Sequence, residues 1–215
     1  MNYIDIHTHK LLHNGEALSV FNHRLKCFDK SEIFNGFYSI GLHPWDIESE
    51  NDTGLTDETA DDKNLCFIGE CGFDKNIAAP YQVQEKIFIS HVEMSEKMQK
   101  PLMIHCVGYF NEIINLSKQL QHAQKWIVHG FTGHPQLALH LLAAGFMLSF
   151  GKALFNASGK AVAAFCAIPA GTFFLETDDC EYSIRDIYKR AGVLRGIGEQ
   201  SLKTEIMNNF KNLYL

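Results

Sequence analysis

Seven side chains able to bind or polarise a divalent cation stand at telling places in this 215-residue sequence. His7 and His9 close or follow the apolar run Tyr3–His7, and Glu70 follows Leu65–Gly69. His105 ends the run Pro101–His105, His129 ends Trp126–His129, and Asp178 follows Thr172–Glu176. His43 follows a further run, Phe37–Leu42. Two histidines at i and i+2 on a strand project to the same side, so both can reach one ion. Neutral imidazoles mixed with carboxylates suit Zn²⁺, Mn²⁺ or Fe²⁺, and Mg²⁺ less well. Taken singly, each residue says little, because most buried histidines and strand-end carboxylates simply find a hydrogen-bonding or ionic partner. Six at strand exits say more, since independent accidents would have to coincide. For His43 a role in a turn with Pro44 and Trp45 weighs as much as a role facing substrate.

Something must carry these residues to one face. Short runs, rich in apolar and β-branched residues, recur along the chain; Leu18–Phe21 and Phe146–Phe150 complete the set of eight. Several are continuously apolar, as parallel strands covered on both faces should be. Helical periodicity lies between them, over residues 81–99, 108–121, 136–144 and about 201–213, and Ser183 with Asp186 is spaced like a capping box. The cluster Gly192, Gly196, Gly198 follows no strand and reads as a helix-to-helix turn, not a dinucleotide fingerprint. Eight strand candidates with intervening helices predict a distorted (β/α)8 barrel in one domain, residues 1–215, with the ligand-type residues at the strand C-termini. Some early connections are too short for a full helix, and a doubly wound sheet is the competing architecture.

Composition narrows the class. The chain is 46% hydrophobic and 20% charged, which excludes disorder, a coiled coil and a collagen-like fibre. No apolar run approaches the roughly 18 residues of a membrane span, and the start has no basic segment before its apolar stretch, so neither membrane insertion nor a signal peptide is expected. Six scattered cysteines without a Cys-x-x-Cys pair read as reduced thiols, which suggests a cytoplasmic address. The net charge of −6 comes from residues 48–62, which hold seven acids and no Lys or Arg; the rest carries 19 basic and 18 acidic residues. A solvated acidic connector is expected there, and the near-neutral remainder is not that of a dedicated nucleic-acid binder.

The order His-x-His, Glu, His, His, Asp resembles the TatD family of metal-dependent hydrolases. The segments that carry the resemblance are Ile4-Asp5-Ile6-His7-Thr8-His9, Gly41-Leu42-His43-Pro44-Trp45 and Ile68-Gly69-Glu70-Cys71-Gly72-Phe73-Asp74. They continue with Pro101-Leu102-Met103-Ile104-His105, His129-Gly130-Phe131-Thr132-Gly133, Leu148-Ser149-Phe150-Gly151 and Leu175-Glu176-Thr177-Asp178. The resemblance implies a two-metal centre, with Zn²⁺, Mn²⁺ or Mg²⁺ as the cations, and phosphodiester hydrolysis, typically of DNA or short oligonucleotides. It implies that His7, His9 and Asp178 hold one cation and His105 and His129 the second, with Glu70 shared. Two such cations together acidify a water that would attack phosphorus. Asp178 would orient that water or take its proton, and His43 would face the substrate.

The chain also departs from the family pattern. Val107 stands where an Arg is usual, Lys75 where an aromatic often follows Gly-x-Asp, and the loop usual after Asp178 is replaced by Asp179-Cys180-Glu181-Tyr182-Ser183. The metal-ligand set is intact in type and order while the substrate shell is changed. Alternatives are an amidohydrolase or deacylase acting on a carbonyl with the same centre, a thiol hydrolase built on Cys106, and a non-enzymatic barrel used as a binding module. No membrane and no protein partner is expected, and the sequence sets no oligomeric state.

Overall fold

The computed structural model describes residues 2–10, 15–27, 36–49, 52 and 62–214. Most of the acidic stretch, including Glu50, Asp57, Glu58 and Asp61, lies outside the described residues, and so does the solvated connector expected there.

Eight strands follow one another along the chain, with α-helices between successive strands from the fourth onward. They are β1 (Tyr3–Thr8), β2 (Ala17–Arg24), β3 (Tyr38–Gly41), β4 (Leu65–Asp74), β5 (Leu102–Val107), β6 (Trp126–Val128), β7 (Met147–Phe150) and β8 (Phe173–Leu175). The helices are α1 (Tyr81–Met98), α2 (Phe110–Gln119), α3 (Pro135–Ala143), α4 (Lys160–Ala167), α5 (Ile184–Arg195) and α6 (Glu199–Tyr214). The strands are parallel in sequence order, the topology of a (β/α)8 barrel and not of a doubly wound sheet. All eight predicted runs became strands. β1 and β4 are buried at every residue, including the polar Asp5, His7, Glu70 and Asp74, as parallel strands covered on both faces are.

Contacts divide the chain into two compact units, one of Met1–Phe21 with His129–Leu215, the other of Asn22–Val128. In the first, β7 pairs with β8, β1 pairs with β2, and Thr8 bridges Asp178. Its core gathers Ile4, Ile6, Phe150, Phe165, Phe173, Tyr188, Ile206 and Phe210, all 3% exposed or less. Tyr188 ties α5 to β1: its hydroxyl accepts from the Ile4 N–H and donates to the Ile4 carbonyl, each at 3.1 Å. The Ser183 hydroxyl caps α5 by accepting from the Asp186 N–H, and Gly196, at φ 65°, ends it in the left-handed conformation. The predicted capping box and helix-to-helix turn are both present.

In the second unit β3, β4, β5 and β6 pair in succession. α1 lays Ile87, Phe88 and Val92 against them, with Phe88 4.9 Å from the Phe73 ring and 5.2 Å from Trp126. β4 differs from expectation. It does not stop at Gly69 but runs on to Asp74, with a register shift against β5 between Ile68 and Cys71. Gly69 and Gly72 sit at φ 125° and 138°, where a Cβ would overlap the carbonyl oxygens of Met103 and His105. Only glycine permits that close approach, so Glu70 lies within a strand and not after one.

Candidate functional site

The first unit brings four of the anticipated residues together. His7 and His9 leave β1 at i and i+2, their rings 5.0 Å apart and edge-on. Asp178, just past β8, points Oδ1 at both, 3.9 Å from His7 Nε2 and 3.5 Å from His9 Nε2. His129, one residue beyond β6, has its ring 4.4 Å from that of His7. Backbone bonds set this geometry: the Asp178 N–H donates to the His7 carbonyl at 2.9 Å, and the His9 N–H donates to the Asp178 carbonyl at 3.1 Å. Asp178 itself takes φ 50°, a left-handed conformation that Asp tolerates better than most residues.

Beneath them is a buried polar layer. Asp5 accepts from the Thr177 N–H at 2.9 Å and from its hydroxyl at 2.7 Å. Burial nevertheless pushes the Asp5 carboxyl up to about 7. Glu176, fully buried, lies with Oε1 3.4 Å from His129 Nδ1, while Oε2 accepts from the Ser149 hydroxyl. Burial works to raise its pKa, but the hydrogen bond and charge of His129, the charge of His7 and the Ser149 hydroxyl outweigh it and leave Glu176 below its ordinary range.

The second unit gathers His43, Glu70 and His105. Glu70 Oε1 lies 3.1 Å from His43 Nε2 and 3.0 Å from His105 Nδ1. The remaining ring nitrogen of His105 is 3.3 Å from Asp74 Oδ2. His43 also caps the 3-10 turn Pro44–Asp46, its Nδ1 accepting from the Trp45 N–H at 3.1 Å. An accepting Nδ1 puts the neutral ring's proton on Nε2, facing Glu70. Burial lowers the His43 pKa against the opposing pull of Glu70. His43 therefore shapes the turn, as one of its readings required, and its other ring nitrogen lies against Glu70.

In each unit the donors converge closely enough for a cation. The ligand atoms of His7, His9 and Asp178 lie within 4.8 Å of one another, as do those of His129, Glu176 and Asp178, and those of His43, Glu70 and His105. Mixed imidazole and carboxylate donors at this spacing fit a divalent transition-metal ion or zinc. Glu176, a member of one of these groups, and Asp74, which lies against His105, were both missed, although period-two alternation pointed to them: Glu176 stands two residues before Asp178, and Asp74 four after Glu70. Burial pushes the Cys106 thiol up to about 12, away from the thiolate range that favours a nucleophile. The six cysteines are thiols and not disulfide-bonded.

The sequence profile of the family described as TatD related DNase matches residues 8–214. The chain belongs to that family of metal-dependent hydrolases. An uncharacterized metal-dependent hydrolase of Buchnera aphidicola is 27% identical over 184 residues, covering 80% of this chain and 69% of its own. The human deoxyribonuclease TATDN3 is 25% identical over 170 residues, which is 71% of this chain and 61% of that protein. The crystal structure of YJJV, a TatD homologue of Escherichia coli, superposes with a TM-score of 0.81 at 16% identity, over 98% of this chain and 97% of its own. That likeness shows the fold of the TatD-family chain, a (β/α)8 barrel.

In this TatD-family protein the connection that follows Asp178 is short. Asp178 is followed by only five residues before α5 begins at Ile184. Asp179 accepts from Lys152 Nζ at 2.9 Å, and the Lys10 ammonium donates to the Cys180 carbonyl. Two lysines thus hold the segment that follows Asp178. Among the described residues no helix is long and apolar enough to cross a membrane.

Proposed function

We propose that this TatD-family hydrolase is a divalent-cation-dependent phosphodiesterase that acts on DNA or short oligonucleotides. The observation that carries the reading is the convergence of His7, His9 and Asp178 in one unit and of Glu70, His105 and His43 in the other, in a chain of this family. Support for a nucleic-acid substrate comes from the deoxyribonuclease name of the human relative.

The ligands proposed are His7, His9, His129 and Asp178 from the first unit and Glu70 and His105 from the second, for two cations. Bound divalent cations would acidify a water and offset charge on phosphoryl oxygens. Asp178 has one carboxylate edge toward His7 and His9 and is 27% exposed, so it can both ligate and accept the proton of an attacking water. Glu176 keeps the His129 ring turned, as a carboxylate behind a ligand histidine does. Asp74 does the same for His105. His43, neutral by burial and with Nε2–H toward Glu70, orients that carboxylate.

The test is hydrolysis of bis-p-nitrophenyl phosphate beside a panel of esters and amides, with Mn²⁺ or Zn²⁺ and again after chelation. Cation-dependent turnover confined to the phosphodiester is expected. Turnover of the amides or esters alone would replace this reading with the deacylase one.

A further inference from the structure

We propose that Trp45 is a stacking platform for a nucleobase, forming a base subsite beside His43, Glu70 and His105; this rests on the phosphodiesterase reading and extends it to substrate recognition. Trp45 is 63% exposed, and it is the one aromatic among the large exposed apolar side chains of the described residues, beside Leu139 and Val193. An exposed indole would ordinarily swing freely about its two side-chain torsions. This one is held.

Pro44 starts the 3-10 turn, and the Trp45 N–H is fixed on His43 Nδ1. The indole Nε1–H donates to Asp74 Oδ2 at 2.9 Å. Its ring meets the His43 ring edge-on at 5.0 Å and lies 6.1 Å from that of His105. Asp74, only 4% exposed, is itself immobilised: Oδ1 accepts from the Asn76 N–H, and Gln84 accepts from the Asp74 N–H and donates to its carbonyl. At the far end of the turn, Arg24 grips Asp46 through two bonds of 2.7 and 2.6 Å.

A flat apolar face is therefore presented to solvent in one orientation, against the very histidines that face Glu70. Its only polar atom is already engaged, so it can recognise a ligand by stacking and not by hydrogen bonding. That chemistry fits the π-face of any base and is tolerant of sequence. A pre-ordered aromatic loses little conformational freedom when a ligand settles on it, which favours binding over an equally large but mobile side chain.

The experiment uses the full chain loaded with Mg²⁺ or Zn²⁺, with thymidine 5′-monophosphate and deoxyribose 5-phosphate as probes. The chain has two tryptophans, and Trp126 is 1% exposed, so quenching of intrinsic fluorescence reports on Trp45. The base-bearing probe is expected to quench and to bind about 5- to 150-fold tighter than the base-free sugar phosphate, measured by competition, the range that base–aromatic stacking supplies. Trp45→Leu should abolish that difference, and Trp45→Phe, which keeps a stacking face, should retain part of it. Equal affinity for the two probes in the parent protein, or an undiminished difference in Trp45→Leu, would overturn the platform even if phosphodiesters are hydrolysed. Base-dependent binding in a protein that hydrolyses no phosphodiester would uphold the platform and sink the phosphodiesterase reading instead.

Discussion

Asp5 should make the metal-free protein lose stability as pH rises, and Asp5→Asn should remove the effect. Burial pushes this carboxyl from an ordinary 3.8 up to about 7, although Thr177 donates to both of its oxygens. In the unfolded chain it ionises at its ordinary value. Between the two values the folded protein binds more protons than the unfolded one, so its stability falls with rising pH, with the loss complete a little above the folded value. At about 1.36 kcal/mol per pH unit, roughly 2–3 kcal/mol should disappear between about pH 5 and pH 8. Asparagine keeps a carbonyl for the Thr177 N–H and offers an amide N–H to the Thr177 hydroxyl oxygen, but it cannot ionise. Any constant cost of the substitution cancels when the two proteins are compared across pH. Urea unfolding of both, in chelator so that no cation near His7 favours the carboxylate, should show parent minus variant falling by that amount. Parallel stability profiles would refute the buried-ionisation account.

Three further outcomes are expected. Glu70→Ala should lower cation occupancy, measured by metal analysis after dialysis, and cut phosphodiester turnover by about 10³ or more, the scale for losing a principal electrostatic element; a shared Glu70, as the resemblance implies, requires both equivalents to weaken, and unchanged turnover would remove Glu70 from the site. Asp178→Asn should keep the fold and much of the metal but lose most activity, because an amide oxygen can ligate and cannot take a proton; hydrolysis at the parental rate would pass the base role to another group, with His43 next. Phe88→Ala, which strips a fully buried ring from between Phe73 and Trp126, should cost about 3–5 kcal/mol in chemical denaturation.

The strands were legible because each is a short run rich in apolar residues, and the candidate ligand residues because most of them fall where those runs end. β4 was misjudged for a physical reason. Gly-Glu-Cys-Gly looks like strand punctuation, yet these glycines serve the close approach of β4 to β5, and the strand resumes through Phe73 and Asp74. α4 carried no sequence signal, since Lys160–Ala167 is nearly all small or apolar and lacks a polar face to set its period. Glu176 and Asp74 escaped notice because a carboxylate that braces a histidine differs from one that binds a cation only in what lies next to it. That distinction is spatial. The rigidity of Trp45 was equally hidden: the sequence offers a tryptophan after a proline, and only the fold delivers Asp74 to its indole nitrogen.

The unit that holds His7, His9 and Asp178 is discontinuous in sequence, its first 21 residues waiting on a partner segment that begins at His129. A ribosome makes chains from the N-terminus, and contiguous segments can associate as they emerge. Asn22–Val128, with His43, Glu70 and His105, is such a segment, whereas β1 stays without the Asp178 backbone until residue 178 has been translated. His7 and His9 are thus made long before the Asp178 that lies against them. A message truncated anywhere before codon 178 yields a product that cannot close the His7–His9–Asp178 triangle, so an abortive fragment is born without that cation site.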